Sequence, residues 1–475
     1  MANALYFEKI KHPCLMKLAL LFFFVSQLCF SQSPYGDWYA TLNAADLPLV
    51  FHIQKDGKNA KLTVDSPKQM AFDMPAEITI LKKKGVQVFM KNIGVTYVGT
   101  YYSDSIVGVF KQGAISEQMV FYKEVQSAKE LKRPQNPKGL ISYEIEDVRF
   151  LNKLDSFYLA GSFTKPKTNG PFPAVVLVSG SGPQNRDEEI SSHRPFWVIA
   201  DYLTNLGYAV LRYDDRGTFD SEGEFNGATT MDFAADAESA VSYLMGRKDV
   251  NANQIVVMGH SEGGLIANIL AARLKNLSGI VSLAGTSIRG DSIITIQSAL
   301  ILESSAVEKE DLAISKAFNK SIYAAVIEAY NKDELEKKLD VLIKKYAKFM
   351  IKKGTLKKKE IKDLQNEIKQ TVMNPWMDQF IKYAPSEDIK KIDCHILVLI
   401  GSKDIQVTSK ENIEGYKKLL PKNDKIQVVK ELEGLNHLFQ KCTTCTISEY
   451  GMLEETFSKV ALEEIGIFLE SIWTR

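Results

Sequence analysis

The sequence predicts an α/β protein: a mostly parallel, doubly wound sheet with a helical insertion, preceded by a small all-β module. Three observations carry this. Between Tyr143 and Ile400 short runs of Val, Ile and Leu alternate with helix-like stretches, which is how strands covered on both faces of a parallel sheet read. Between Leu283 and Ile396 the alternation gives way to about one hundred residues of helical spacing. From Gly36 to Tyr122 the apolar runs are short and divided by turn signals such as Asp56-Gly57 and Lys84-Gly85, the pattern of an all-β unit.

The first element is a targeting segment. Lys17 precedes the apolar run Leu18–Val25, which is too short for a membrane span of about 20 residues. With Cys29-Phe30-Ser31 as a cleavage tripeptide, residues 1–31 read as a secretory signal peptide and the protein as exported, periplasmic or secreted. Met16, directly before Lys17, is an alternative start. Leu28 is bulky where a lipidated cysteine wants a small neighbour, so no lipid anchor at Cys29 is expected. Without the signal segment no integral membrane span is expected.

The all-β domain follows over residues 34–125, with runs such as Leu49–Ile53, Gln87–Met90 and Ile106–Phe110. Pro134, Pro137 and Gly139 mark a linker over 126–140. The α/β domain occupies 141–475. Its strands are read at Tyr143–Phe150, Phe157–Thr164, Ala174–Val178, Ala209–Tyr213, Ile255–Gly259, Gly279–Leu283, Ile396–Ile400 and Lys425–Lys430. Inside it, about 288–388 forms a helical cap, where Leu335, Leu339, Leu342, Ile343, Tyr346, Phe349 and Met350 fall on one face. The lysines between them, and Lys357-Lys358-Lys359, read as a solvated face before they read as a lipid-binding one.

Composition bounds the function. The chain has 475 residues, 45% apolar and 25% charged, an ordinary globular balance that excludes a disordered or polytopic membrane protein. Lys plus Arg number 59 against 58 Asp plus Glu, a balance that offers no footprint for nucleic acid over the whole surface, and no nucleic-acid partner is expected. The cysteines Cys14, Cys29, Cys394, Cys442 and Cys445 are odd in number and irregular in spacing, which is no disulfide framework. Cys442 and Cys445 lack the second Cys/His pair that zinc needs, and read as structural cysteines, able to pair after export.

The sharpest chemical signal is Gly259-His260-Ser261-Glu262-Gly263-Gly264, after the strand Ile255–Met258 and before the helix-like run Leu265–Leu274. A serine on a tight strand-to-helix turn flanked by glycines is a nucleophile elbow. A serine hydroxyl needs a base and an orienting acid, expected here in the order Ser, Asp or Glu, His. Two histidines follow Ser261. His395 opens a buried strand and reads as structural. His437 lies in a loop beyond the last strand and is the expected base. Asp404, in the turn after Ile396–Ile400, is the expected acid, whereas Asp393 lies at the wrong end of that strand. An oxyanion would be held by the backbone N–H of Glu262 and by one from Ser179-Gly180-Ser181-Gly182-Pro183, taken as Ser181. That loop lacks the Walker lysine and the G-x-G-x-x-G spacing, so it is not read as a nucleotide site.

These blocks resemble a known family. Ser179–Asp187, Tyr213-Asp214-Asp215-Arg216-Gly217, Gly259–Gly264, Gly401–Val407 and Leu435–Gln440 are similar to the signatures of bacterial α/β-hydrolase serine esterases with an N-terminal β domain. Gly36-Asp37-Trp38-Tyr39 resembles the start of that β domain. The resemblance implies a serine carboxylesterase with a helical cap and without metal or organic cofactor, with Ser261 as nucleophile, Asp404 as acid and His437 as base. A roof formed by the cap favours small or medium acyl esters. Asp215–Asp220 departs from the pattern, since relatives more often have a basic residue and small residues there. A serine peptidase or thioesterase of the same fold is the alternative, and a non-catalytic glycan- or lipid-binding protein a third reading. The cap is expected to roof the pocket with Trp376 and Phe380.

Overall fold

The structure is a computed structural model that describes residues 33–42, 47–57, 59–66, 71–81, 84–102, 104–112, 115–123, 132–304, 309–354 and 356–473. The segment read as a signal peptide, with Cys14 and Cys29, lies outside them. Two compact units divide at Glu130/Leu131.

The first unit is a closed barrel of eight antiparallel strands: β1 Gly36–Leu42, β2 Leu47–Asp56, β3 Asn59–Ser66, β4 Ala71–Ile80, β5 Gly85–Met90, β6 Val95–Tyr101, β7 Ser105–Gln112 and β8 Ile115–Tyr122. Tyr39 opposite Tyr122 closes it, which removes the unpaired strand edges an open sheet would present. Side chains alternate between interior and solvent, so the interior fills with Trp38, Phe51, Tyr97 and Phe121. Phe51 and Phe121 stack at 3.9 Å, and Tyr97 stands edge-on to both. The Tyr97 hydroxyl donates to the carbonyl of Ile106, so this buried polar tip is satisfied.

The second unit is one eight-stranded sheet flanked by helices. In chain order it contains β9 Glu144–Asn152, β10 Phe157–Lys165, β11 Phe172–Val178, α1 Pro195–Asn205, β12 Ala209–Tyr213, α2 Thr230–Met245, β13 Val250–His260, α3 Glu262–Arg273 and β14 Gly279–Leu283. The cap follows as α4 Gly290–Ser304, α5 Lys309–Glu328, α6 Lys332–Lys353, α7 Ile361–Val372, α8 Pro375–Lys382 and α9 Ser386–Ile389. The sheet resumes with β15 His395–Gly401, α10 Ser409–Leu419, β16 Gln427–Leu432 and α11 Lys459–Trp473. The spatial order is β16-β15-β14-β13-β11-β12-β10-β9. All neighbours from β12 to β16 run parallel, and β9 and β10 are antiparallel additions at one side. This is the α/β-hydrolase fold.

The core follows from the strand sequences. Every residue of β12 and β14 is buried, because helices cover both faces of the parallel part. The register aligns Val178 with Gly259, His260 with Leu283, Leu283 with Leu399, and Gly401 with Leu432. The carboxyl ends of β11, β13, β15 and β16 therefore form one rim, where loops of an open α/β sheet gather their ligands. Among the described residues no helix is long and apolar enough to cross a membrane.

The division between the two units falls within 126–140, the stretch read as linker. Residues 132–140 belong to the second unit. Arg133 donates to the carbonyls of Ser191, Gly451 and Leu453, and the Gln135 amide oxygen accepts from the N–H groups of Thr456 and Phe457. The polar neighbours of Pro134 are thus docked on the second unit.

Candidate active site

Ser261 stands between β13 and α3 with φ 53° and ψ −114°, a backbone region that a residue with a side chain adopts only under constraint. The constraint is visible. Its N–H donates to Leu283 at 2.8 Å, and Gly263 packs so tightly under β11 that a Cβ there would lie 2.1 Å from the carbonyl oxygen of Val178. Only glycine permits that approach, which explains the second glycine of the motif.

His437 and Asp404 meet. The His437 Nδ1 lies 2.8 Å from Asp404 Oδ2, and both residues are almost fully buried. Asp404 is aimed by its own turn, because Oδ1 accepts from the N–H groups of Gln406 and Val407, both at 2.8 Å. The His437 loop is built by Asn436, whose Oδ1 accepts from the N–H groups of Leu438 and Gln440. It lies directly on Gly401, where a Cβ would stand 2.2 Å from the Leu435 carbonyl oxygen. That contact carries the loop after edge strand β16 back over β15. His395 instead accepts from the Ile426 N–H at the opposite end of the sheet.

The loop after β11 is braced from β12. The Ser179 hydroxyl and the Gln184 N–H donate to the two oxygens of Asp215. Asp214 accepts from the Arg186 N–H and guanidinium. Burial pushes the Asp215 carboxyl up to about 8, against the opposing pull of its donors. Arg216 turns the other way and pairs with Asp236 at 2.7 Å. The departing stretch Asp215–Asp220 thus supports the loop, with Phe219 left exposed.

Glu262 opens α3, so its N–H has no acceptor within the helix. Its carboxyl is buried and accepts from the Thr230 hydroxyl at 2.6 Å and the Trp376 indole at 2.7 Å. Burial raises it above the usual carboxylate range, while the Thr230, Trp376 and Ser181 side chains oppose that shift. Ser181, expected as an oxyanion donor, thus stands in the exposed loop facing Glu262. Trp376 stacks on Phe380 at 5.1 Å, so both residues expected in the roof belong to one cluster that reaches the residue after Ser261. Cys442 and Cys445, in the segment leaving the His437 loop, form a disulfide.

Residues not anticipated complete the site. Glu188 and His260 bond to one another beneath the serine turn. The motif contained His260 but offered no signal of its partner, 72 positions away. His193 is buried between Thr456 and the carbonyl of Tyr450.

Residues 155–433 match the family described as X-Pro dipeptidyl-peptidase (S15 family), which is more than half of the chain. The chain belongs to this family. The matched stretch takes in Ser261 and Asp404 and stops short of His437. Esterase EstD of Thermotoga maritima is 40% identical over 126 residues, covering 26% of this S15-family chain and 30% of that protein. The uncharacterized protein YfhR of Escherichia coli O157:H7 is 32% identical over 129 residues, covering 27% of the chain and 42% of that protein. The chain thus spans less than half the length of these curated relatives. The α/β hydrolase GrgF of Penicillium sp. sh18 superposes with a TM-score of 0.42 at 18% identity, over 70% of this chain and all of that one.

Two outcomes follow from this geometry. Burial, then the nearby Arg133 charge, depress His193 to about 4 from an ordinary 6.5. The unfolded chain therefore binds the extra proton, so the stabilisation is complete above 6.5 and is lost as pH falls toward 4. Urea unfolding should show a loss on the order of 3 kcal/mol across that window, with a shallower slope in His193→Gln. Trp376→Phe leaves the buried Glu262 carboxyl short of one donor. It should cost about 1–3 kcal/mol, read from helical circular dichroism in urea.

Proposed function

We propose that this protein is a serine hydrolase that cleaves carboxylic esters through an acyl-enzyme. The observation that carries the reading is the His437–Asp404 pair, 2.8 Å apart and buried, on the same rim as a serine held at positive φ. Ser261 Oγ attacks the acyl carbonyl and His437 takes its proton. Asp404 holds the imidazole tautomer with Nδ1–H toward its carboxylate, leaving Nε2 to act as base. The developing oxyanion is stabilised by the backbone N–H of Glu262 and by that of Ser181. His437 then returns the proton to the leaving alkoxide, and water, activated by the same histidine, releases the acid. The helical cap limits substrates to small or medium acyl esters and excludes folded proteins. The Cys442–Cys445 disulfide accords with export to an oxidising compartment, as residues 1–31 suggest.

The family description favours a second reading. The same constellation attacks amides, and a member of the X-Pro dipeptidyl-peptidase family is a candidate peptidase. Matched p-nitrophenyl esters and Xaa-Pro p-nitroanilides separate the two. The expected result is turnover of acetate and butyrate esters and little release of nitroaniline. Ser261→Ala should lower ester turnover by about 10⁴-fold or more and lose fluorophosphonate labelling. Parental activity in that variant would overturn the assignment, and faster Xaa-Pro-anilide turnover would make the peptidase reading correct.

A further inference from the structure

His260 precedes the proposed nucleophile and is buried, with 5% of its surface exposed. Its two ring nitrogens both face acceptors. Nε2 lies 2.9 Å from the backbone carbonyl oxygen of His437, which has no proton to give. Nδ1 lies 2.9 Å from Glu188 Oε1, and that oxygen already accepts from the Gly180 N–H at 2.7 Å. A neutral imidazole has one N–H and would leave one of these contacts lone pair to lone pair. With Glu188 ionised, both contacts are made only if both nitrogens carry a proton.

We propose that His260 is a buried imidazolium, paired with the Glu188 carboxylate, that acts as a positioning residue for the hydrolase site. This rests on the esterase reading above. The pair joins three separate segments. Gly180 in the loop after β11 is held by Glu188 and lies against the Ser261 side chain. His260 is the last residue of β13 and sets the start of the serine turn. The His437 carbonyl is held from behind, so the base is fixed by its backbone as well as by Asp404.

The electrostatics favour this arrangement. The rings of His260 and His437 are 4.8 Å apart and tilted by 48°. An unpaired cation there would oppose the positive charge that His437 acquires as it takes the serine proton. Glu188 cancels it locally. Burial pulls the His260 titration down, but the Glu188 charge and hydrogen bond, the His437 carbonyl and the Asp404 charge outweigh it and leave it raised. Glu188 is itself 1% exposed, so separating the two would strand a buried charge.

The test has two arms on the full chain. In ¹⁵N-histidine-labelled protein, with His260 assigned through the backbone, both ring nitrogens should show protonated, imidazolium-type shifts at pH 7. A pyridine-type nitrogen on His260 at pH 7 overturns the proposal, whether or not any ester is cleaved. In kinetics, His260→Gln and Glu188→Gln should each lower kcat for p-nitrophenyl acetate by about ten- to hundredfold, with KM within about twofold. The double variant should lose no more than the worse single one, because both remove one device. Parental kcat in either variant, or losses that multiply, would overturn it. If either variant fails to fold, the nitrogen shifts of the parent decide. If the parent cleaves no ester, the esterase reading fails and the shifts still decide the imidazolium.

Discussion

Ser261 occupies a backbone conformation that costs roughly 1–3 kcal/mol to hold, and much of the second unit serves to hold it. The turn can be that sharp only because α3 starts directly against β11, with Gly263 under the Val178 carbonyl. That packing needs β11 and β13 to be adjacent and parallel, which they are in the observed order. The parallel order in turn brings the ends of β15 and β16 to the same rim. Position of the serine, the histidine and the carboxylate is thus one consequence of how closely one helix approaches one strand.

Polar groups rather than apolar ones then fix the loops. Asp214 and Asp215 brace the loop after β11, Asn436 shapes the His437 loop, and Asp404 is held by two backbone N–H groups. Each is buried and bonded, which is how low-dielectric sites avoid the cost of unsatisfied groups. The cap enters this network through one indole, since Trp376 donates to the carboxyl of Glu262. The helical insertion and the residue after the serine are therefore mechanically joined.

The parts legible in the sequence were those with a period or a motif. Val256-Val257-Met258 and Ile280-Val281 read as buried strands because parallel strands show unbroken apolar runs. The turn motif places Ser261 between a strand and a helix, where it stands, and order along the chain singles out Asp404 and His437, which meet at 2.8 Å. Glu188–His260 and Trp376–Glu262 were not legible, because each joins side chains 72 or 114 positions apart with no spacing rule between them. Barrel closure was hidden for the same reason, since alternation describes a strand and not which strand it meets. The docking of 132–140 was hidden too: Arg133 and Gln135 look like solvent-facing residues until their partners at 451–457 are known.

That last contact has a bearing on how the protein is made. Arg133 finds its carbonyl partners at 451 and 453, and Gln135 finds its own at 456 and 457, more than 315 positions downstream. During synthesis the entry segment of the second unit therefore emerges well over three hundred residues before its partners do. Loop closure over such a separation is entropically slow to reward. The barrel precedes it and is complete in itself, with every strand paired to a neighbour close in sequence except at the β1–β8 seam. The first unit can therefore form from its own residues alone, whereas the second is sealed only once residues 451–457 are free to meet residues 133–135.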